Sequence, residues 1–189
     1  MRLAAILPAF LRRRPARAPF AVPPGADAPS DRALAGDPPG DESSLARGVG
    51  DIRRTDPGFD PSRFTGYAGM MFRDAQRAWM TRDIRSLGDR ITPEMHGELQ
   101  ARCDRLRSAH RVNRVEWIDI TAEVTEAWQE GGRDYVTAYI DGSLVDYTVD
   151  EARDSVVEGS RTISRNVEEF WTFTRPAGLN FWMLSAIQT

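Results

Sequence analysis

The apolar residues of this chain change period once, and that change sets the fold class. From Phe64 to Leu106 they recur at helical spacing, and after Asn113 they alternate with polar residues, as in a strand with one wet face. Helices come first and strands follow. That order predicts an α+β fold, with N-terminal helices packed on an antiparallel sheet of about four strands.

The first helix carries Phe64, Tyr67, Ala68, Met71, Ala75, Ala78 and Trp79 on one face. A shorter one fits Asp83 to Arg90, with Ile84, Leu87 and Ile91 directed inward. Thr92-Pro93 supplies an N-cap followed by proline at the first helical position, where the missing N–H costs nothing because that donor has no intrahelical partner. Met95, Leu99, Cys103 and Leu106 form the buried stripe of this third helix. In the first strand Ile118, Ile120, Ala122, Val124 and Trp128 are in phase, and Gly131-Gly132 reads as a hairpin turn. The next strand keeps Val136, Ala138, Ile140 and Leu144 in phase. Bringing these two even-numbered faces together needs an odd-length loop, so a three-residue turn with a bulge is expected. Two more strands, Val167 to Arg175 and Asn180 to Gln188, are joined by Pro176-Ala177-Gly178-Leu179.

Ahead of this pattern the composition is different. Ten of the twelve prolines lie in residues 1–61, and no aromatic residue occurs between Phe20 and Phe59, whereas all five Trp and all four Tyr lie beyond Phe59. Little apolar area is available there to offset the entropy of ordering the chain. Residues 1–58 are therefore expected to form a disordered Arg/Pro-rich segment, and 59–189 the folded domain.

The run Leu3 to Leu11 is nine residues long and is interrupted by Pro8, whereas a membrane-spanning helix takes about 20. Arg12, Arg13 and Arg14 stand where a signal-peptide cleavage site would follow. Neither a membrane span nor a cleaved signal is expected. Leu3, Ile6, Leu7, Phe10 and Leu11 can instead form an apolar stripe on an anionic lipid surface, with Arg12, Arg13, Arg14 and Arg17 among the headgroups.

Several functions are excluded by composition. All 25 basic residues are arginine, so lysine chemistry is ruled out, and one cysteine can form neither an intrachain disulfide nor a multi-cysteine zinc site. Residues 61–189 hold 16 Arg against 20 acids, which leaves no basic field for nucleic acid. His96, Cys103 and His110 are spaced seven apart, but seven helical residues rise about 10.5 Å and ligands of one zinc lie about 2.0–2.3 Å from it. No metal site and no cofactor are expected. Asp119 and Glu123 stand about 13 Å apart on one strand face, too far to share a proton. Glu126 and Asp146 fall in phase with apolar positions, where a dry carboxylate can act as a general base; bulges that swing both outward are the preferred account. The aromatic set Trp117, Trp128, Trp171, Phe173, Phe181 and Trp182 reads first as core.

The runs Val115-Glu116-Trp117, Glu123 to Trp128, Leu144 to Asp150, Glu169 to Arg175 and Trp182 to Gln188, with Ala78-Trp79, Asp83 and Asn113, resemble the Tim44-like domain. The resemblance covers about Phe59 to Thr189. It implies an NTF2-like cone, helices over a curved antiparallel sheet around an apolar pocket. Met71, Ala75 and Trp79 from the first helix, and Val124, Ile140, Trp171 and Met183 from the sheet, are the pocket candidates. It also implies a non-enzymatic scaffold or lipid-binding module, peripheral on the cytoplasmic face of a bacterial inner membrane, with anionic lipid and a membrane or translocation protein as partners. The alternative is a small-molecule enzyme of isomerase or dehydratase type, because related cones host such enzymes. Where family members usually have a glycine before Asn113, this chain reads Ala109-His110-Arg111-Val112.

Overall fold

In the computed structural model, which describes residues 42–189, the helices precede the strands as the change of period requires. Among the described residues the helices are α1 (Glu42–Arg53), α2 (Pro61–Thr81) and α3 (Pro93–Ser108), with a 3-10 segment at Ile84–Arg90. The strands β1 (Arg111–Glu130), β2 (Arg133–Asp150), β3 (Ser155–Pro176) and β4 (Met183–Gln188) form one antiparallel sheet in the order β1-β2-β3-β4. Local chemistry starts three of these helical stretches. The Asp60 carboxylate accepts from the Ser62 N–H ahead of α2, Asp83 accepts from Arg85 N–H, and the Thr92 hydroxyl accepts from Met95 N–H with Pro93 in the first turn of α3. Met95, Leu99, Cys103 and Leu106 are buried, as the stripe predicts.

Helix α1 corrects the expectation that residues 1–58 lack structure. It lies on β1, with Val49 and Ile52 buried in the core and Leu45 packed against it. Its signal in the sequence is faint for two reasons: it buries few apolar side chains and no aromatic one, and Gly48 and Gly50 lower its helix propensity. Gly48 is what lets it dock. A Cβ there would stand 1.7 Å from the carbonyl oxygen of Ala127.

The β1–β2 connection is a second correction. Glu130 pairs with Arg133, so the turn has two residues, and Gly131 and Gly132 both adopt positive φ, 56° and 74°. This is the left-handed pair that a tight hairpin demands. The change of parity comes from a bulge at Thr125 instead: Glu126 pairs with Thr137, but Val124 pairs with Ala138 and Ala122 with Ile140. One extra residue in β1 brings the two even-numbered faces together. Two strand boundaries also move. β3 begins at Ser155, twelve residues before Val167, and β4 begins at Met183, after Asn180. Nearly all of residues 155–166 are exposed on both faces, so no alternation marks them. His110 takes a left-handed φ of 51° in the turn from α3 to β1, the conformation that glycine adopts without strain.

The ends of the domain are tied by one buried cation. The Arg175 guanidinium on β3 donates to Asp56 Oδ2 at 2.8 Å and to Asp134 Oδ2 at 2.9 Å, and it stacks 4.3 Å from the ring of Trp182. Gln129 of β1 donates to the other oxygen of Asp134 at 2.6 Å. The segment after α1, the β1–β2 hairpin and the approach to β4 therefore share one set of charge-assisted bonds.

The close approach at Gly48 makes a paired prediction. Gly48→Ala forces α1 off β1 and should destabilise the protein by about 1–3 kcal/mol. Gly50→Ala in the same helix meets open space and should stabilise by up to about 1 kcal/mol. Urea unfolding of the two variants checks this; equal stabilities would show that α1 does not dock there.

Candidate functional site

The structure brings six of the seven expected pocket residues together. Met71, Ala75, Trp79, Val124, Ile140 and Trp171 belong to one buried cluster between α2 and the sheet, while Met183 is half-buried at the start of β4. Met71, Ile140 and Trp171 are each 0% exposed, and Trp171 packs on Phe72 with ring centroids 5.4 Å apart. All six are buried core side chains.

Polar chemistry gathers at the other end of the same sheet face. Asn113 of β1 donates to Asp146 Oδ1 at 2.8 Å, and Arg165 of β3 donates from Nε to Asp146 Oδ2 at 3.0 Å. Both of Asp146's neighbours in β2 mark a register shift, so the carboxylate sits at a bulge; Glu126 likewise follows the bulge at Thr125. Both in-phase acids stand beside bulges, but the expectation that the bulges swing them outward is corrected: Glu126 is half-buried, and Asp146 turns toward Asn113 and Arg165. Glu169 is 1% exposed and accepts from the Trp171 indole N–H at 2.9 Å. Burial pushes its carboxyl above the usual range, opposed by the Trp171 hydrogen bond and the Arg165 charge, and Asp146 raises it further. Sequence reasoning passed over Glu169, whose signal is an acid in phase with Val167, Trp171 and Phe173.

The surface carries two further features. An open groove of about 450 Å³ runs between α2 and β1, floored by Ile120 and Ala122 and walled by Gly66, Gly69, Met70 and Arg73. None of the expected pocket residues lines it. At the hairpin end, the loop from β3 to β4 holds Leu179 and Phe181 out into solvent, 85% and 92% exposed. The loop is braced: Asn180 Nδ2 donates to the carbonyls of Pro176 and Ala177, and Arg175 Nη1 donates to the carbonyl of Asn180.

The aromatic set thus divides. Trp171 and Phe173 are core, Trp128 stacks on Tyr135, and Trp182 packs on Phe59 and Phe64. Trp117, 82% exposed, sits with a φ of 51° at a bulge in β1, and Phe181 is free in solvent. Cys103 is fully buried, its thiol pushed up to about 11 by desolvation; His96 is half-buried and His110 exposed. The expected membrane contacts Leu3, Ile6, Leu7, Phe10, Leu11, Arg12, Arg13, Arg14 and Arg17 lie outside the described residues. No described helix is long and apolar enough to cross a membrane.

Glu169 generates a prediction about pH. A folded-state pKa above the unfolded value means that its contribution to stability is fully present below the ordinary carboxylate range and is lost as pH rises through the folded value. Glu169→Gln keeps an acceptor for Trp171 and removes the titration. It should raise the Tm at about pH 8 and lose that advantage near pH 4, where unperturbed Glu is largely protonated. A change in Tm that is the same at both values would show that Glu169 does not titrate abnormally.

Among solved structures, the intermembrane space region of the chloroplast protein ARC6 is similar over 69% of this chain and 95% of that one, at 10% identity and a TM-score of 0.48. The comparison with curated proteins finds no match. The family description "Tim44-like domain" matches residues 45–189, a span that takes in most of α1 together with the remaining helices and the whole sheet. The chain belongs to the Tim44-like domain family.

Proposed function

We propose that this protein is a non-enzymatic, membrane-associated scaffold that meets an anionic bilayer and a membrane or translocation protein through its surface. The β3–β4 loop carries this reading. Two large apolar side chains, Leu179 and Phe181, stand in water on a loop that Asn180 and Arg175 hold in place. Bonds spent on presenting apolar surface are explained by a surface that covers it. Aromatic and aliphatic tips of this kind suit the boundary between headgroups and acyl chains.

The N-terminal residues add the charge that the domain lacks. Leu3, Ile6, Leu7, Phe10 and Leu11 supply apolar area, and each of Arg12, Arg13, Arg14 and Arg17 contributes about 1 kcal/mol near an anionic surface before screening. Attachment of this strength is reversible. It fits a peripheral protein on the cytoplasmic face of an inner membrane, where it assists protein assembly or translocation.

Glu169 favours a second reading, an enzyme of isomerase or dehydratase type. A buried carboxyl with a raised pKa, acted on by the charges of Asp146 and Arg165, is the kind of group that holds a proton for transfer. The scaffold reading is preferred because Glu169 is 1% exposed and the expected pocket residues Met71, Ala75, Trp79, Val124, Ile140 and Trp171 are buried in the core.

Vesicle flotation tests the choice. The full chain should float with phosphatidylglycerol-containing vesicles at low salt and much less with phosphatidylcholine alone. Arg12, Arg13 and Arg14→Glu should weaken that binding, and Leu179→Ser with Phe181→Ser should weaken it without lowering the Tm, because both side chains are exposed. Binding equal for both vesicle types, or untouched by either set of substitutions, contradicts the proposal.

A further inference from the structure

The middle of the sheet is covered on one face and open on the other. Val136, Ala138 and Ile140 of β2 and Trp171 and Phe173 of β3 are buried in the core. Successive side chains of a strand point to opposite faces, so Tyr135, Tyr139 and Asp141 stand on the far side of β2. Glu123 of β1 is paired with Tyr139, and Phe170 and Glu168 of β3 are paired with Tyr139 and Asp141. Glu123, Asp141, Glu168 and Phe170 are exposed, and Tyr139 is half-buried. Aromatic rings line this face in two places. Tyr139 and Phe170 lie with centroids 4.9 Å apart, and Trp128 stacks on Tyr135 at 4.9 Å.

The charge on this face is of one sign. Asp141 and Glu168 stand directly opposite each other, an arrangement that destabilises a sheet, and Glu123 lies one row away. Among the described residues, none of these three carboxylates forms a side-chain hydrogen bond or an ion pair. Desolvation, and then the charges of Asp141 and Glu168, raise the Tyr139 phenol above its usual range, so both acids act at the ring. The arginines of the face stand at its ends. Arg133 lies about 26 Å along β2 from Asp141 and donates to Thr174. Arg161 covers the ring of Tyr147, about 20 Å from Asp141 in the other direction. A second copy of this face would set the same carboxylates against themselves, and anionic lipid or nucleic acid would meet the same repulsion. A guanidinium has the opposite properties: it stacks on aromatic faces and bonds carboxylates through its planar fork.

We propose that the open face of the sheet docks an extended, arginine-bearing segment of a partner protein, with one guanidinium over the Tyr139–Phe170 pair and held by Asp141 and Glu168. Neighbouring rows of the face are two residues, about 6.6 Å, apart along the strands, and same-face side chains of an extended segment have the same spacing. Arginine at alternate positions therefore meets successive rows, with Glu123 and the Trp128–Tyr135 stack beside the central one. The uncompensated pair of Asp141 and Glu168 is then compensated in the complex. This surface is separate from the β3–β4 loop and does not rest on the membrane reading.

Fluorescence anisotropy with the full chain at low salt tests it. The probe is a fluorescein-labelled peptide with arginine at every second position and serine or glycine between. Asp141→Asn with Glu168→Gln should weaken its binding at least about fivefold, the scale of two exposed ion pairs. Glu94→Gln with Glu98→Gln changes the net charge equally on the exposed side of α3 and should leave binding nearly unchanged. Phe170→Ala should weaken binding about threefold, and the lysine version of the peptide should bind more weakly than the arginine one. Relief of the like-charge pair should leave the Tm of the Asp141→Asn, Glu168→Gln variant equal to or above that of the parent. A lower Tm would mean that the two carboxylates serve the fold, and it overturns the proposal. Equal weakening by the two double variants overturns it as well, because the peptide would then respond to net charge alone. A parent chain that dimerises and takes up peptide only on dilution overturns it in favour of a second copy on this face.

Discussion

Arg175 is the residue on which the arrangement most depends. Its guanidinium sits between Asp56 and Asp134, 3% exposed, with Trp182 against its face. Removing one partner of such a group leaves a buried charge uncompensated, which typically costs about 3–5 kcal/mol. The cost here would be shared by three distant pieces of chain, because Asp56 follows α1, Asp134 opens β2 and Trp182 precedes β4. The same guanidinium donates to the Asn180 carbonyl and so braces the loop that holds Leu179 and Phe181 in solvent. One buried cation thus links the packing of α1 to the surface proposed to meet a bilayer.

The second constraint is parity. Side chains alternate along a strand, so two paired strands can bring the same face together only if the connection and the bulges agree. The even-numbered apolar residues of β1 and β2 were legible in the sequence, and the need for one extra residue followed from them. Where that residue would go was not legible. Gly131-Gly132 already forms a complete two-residue turn, and Thr125 takes the bulge inside the strand. The bulge at Asp146 was readable by the same logic, as an acid out of place in an apolar phase. It also marks the point where β3 leaves simple register, from Val145 paired with Ser164 to Tyr147 paired with Gly159.

The parts that periodicity missed have physical reasons. Helix α1 docks through a glycine and two buried aliphatic side chains, so the feature that fixes it is the absence of a side chain at Gly48. Residues 155–166 pair through their backbones with hardly a buried face, so side-chain pattern carries no record of them. The candidate site divides in the same way. Trp171, Ile140 and Met71 were readable as inward-facing, but inward-facing does not separate a lined cavity from a packed core, and here all three are buried in the core. Leu179 and Phe181 were in view only as a linker and one of several aromatics. Their exposure depends on bonds from Arg175 and Asn180 that no spacing reveals.

The central claim is that this domain works from its surface with its core closed. Hydrogen exchange of the full chain, with and without phosphatidylglycerol vesicles, measures that directly. The account predicts slowed exchange in residues 177–182, next to Leu179 and Phe181, and unchanged exchange along Val136 to Leu144 in the buried core. Protection or opening centred on Val136 to Leu144, with residues 177–182 unaffected, would mean that the ligand enters the cone and would contradict it.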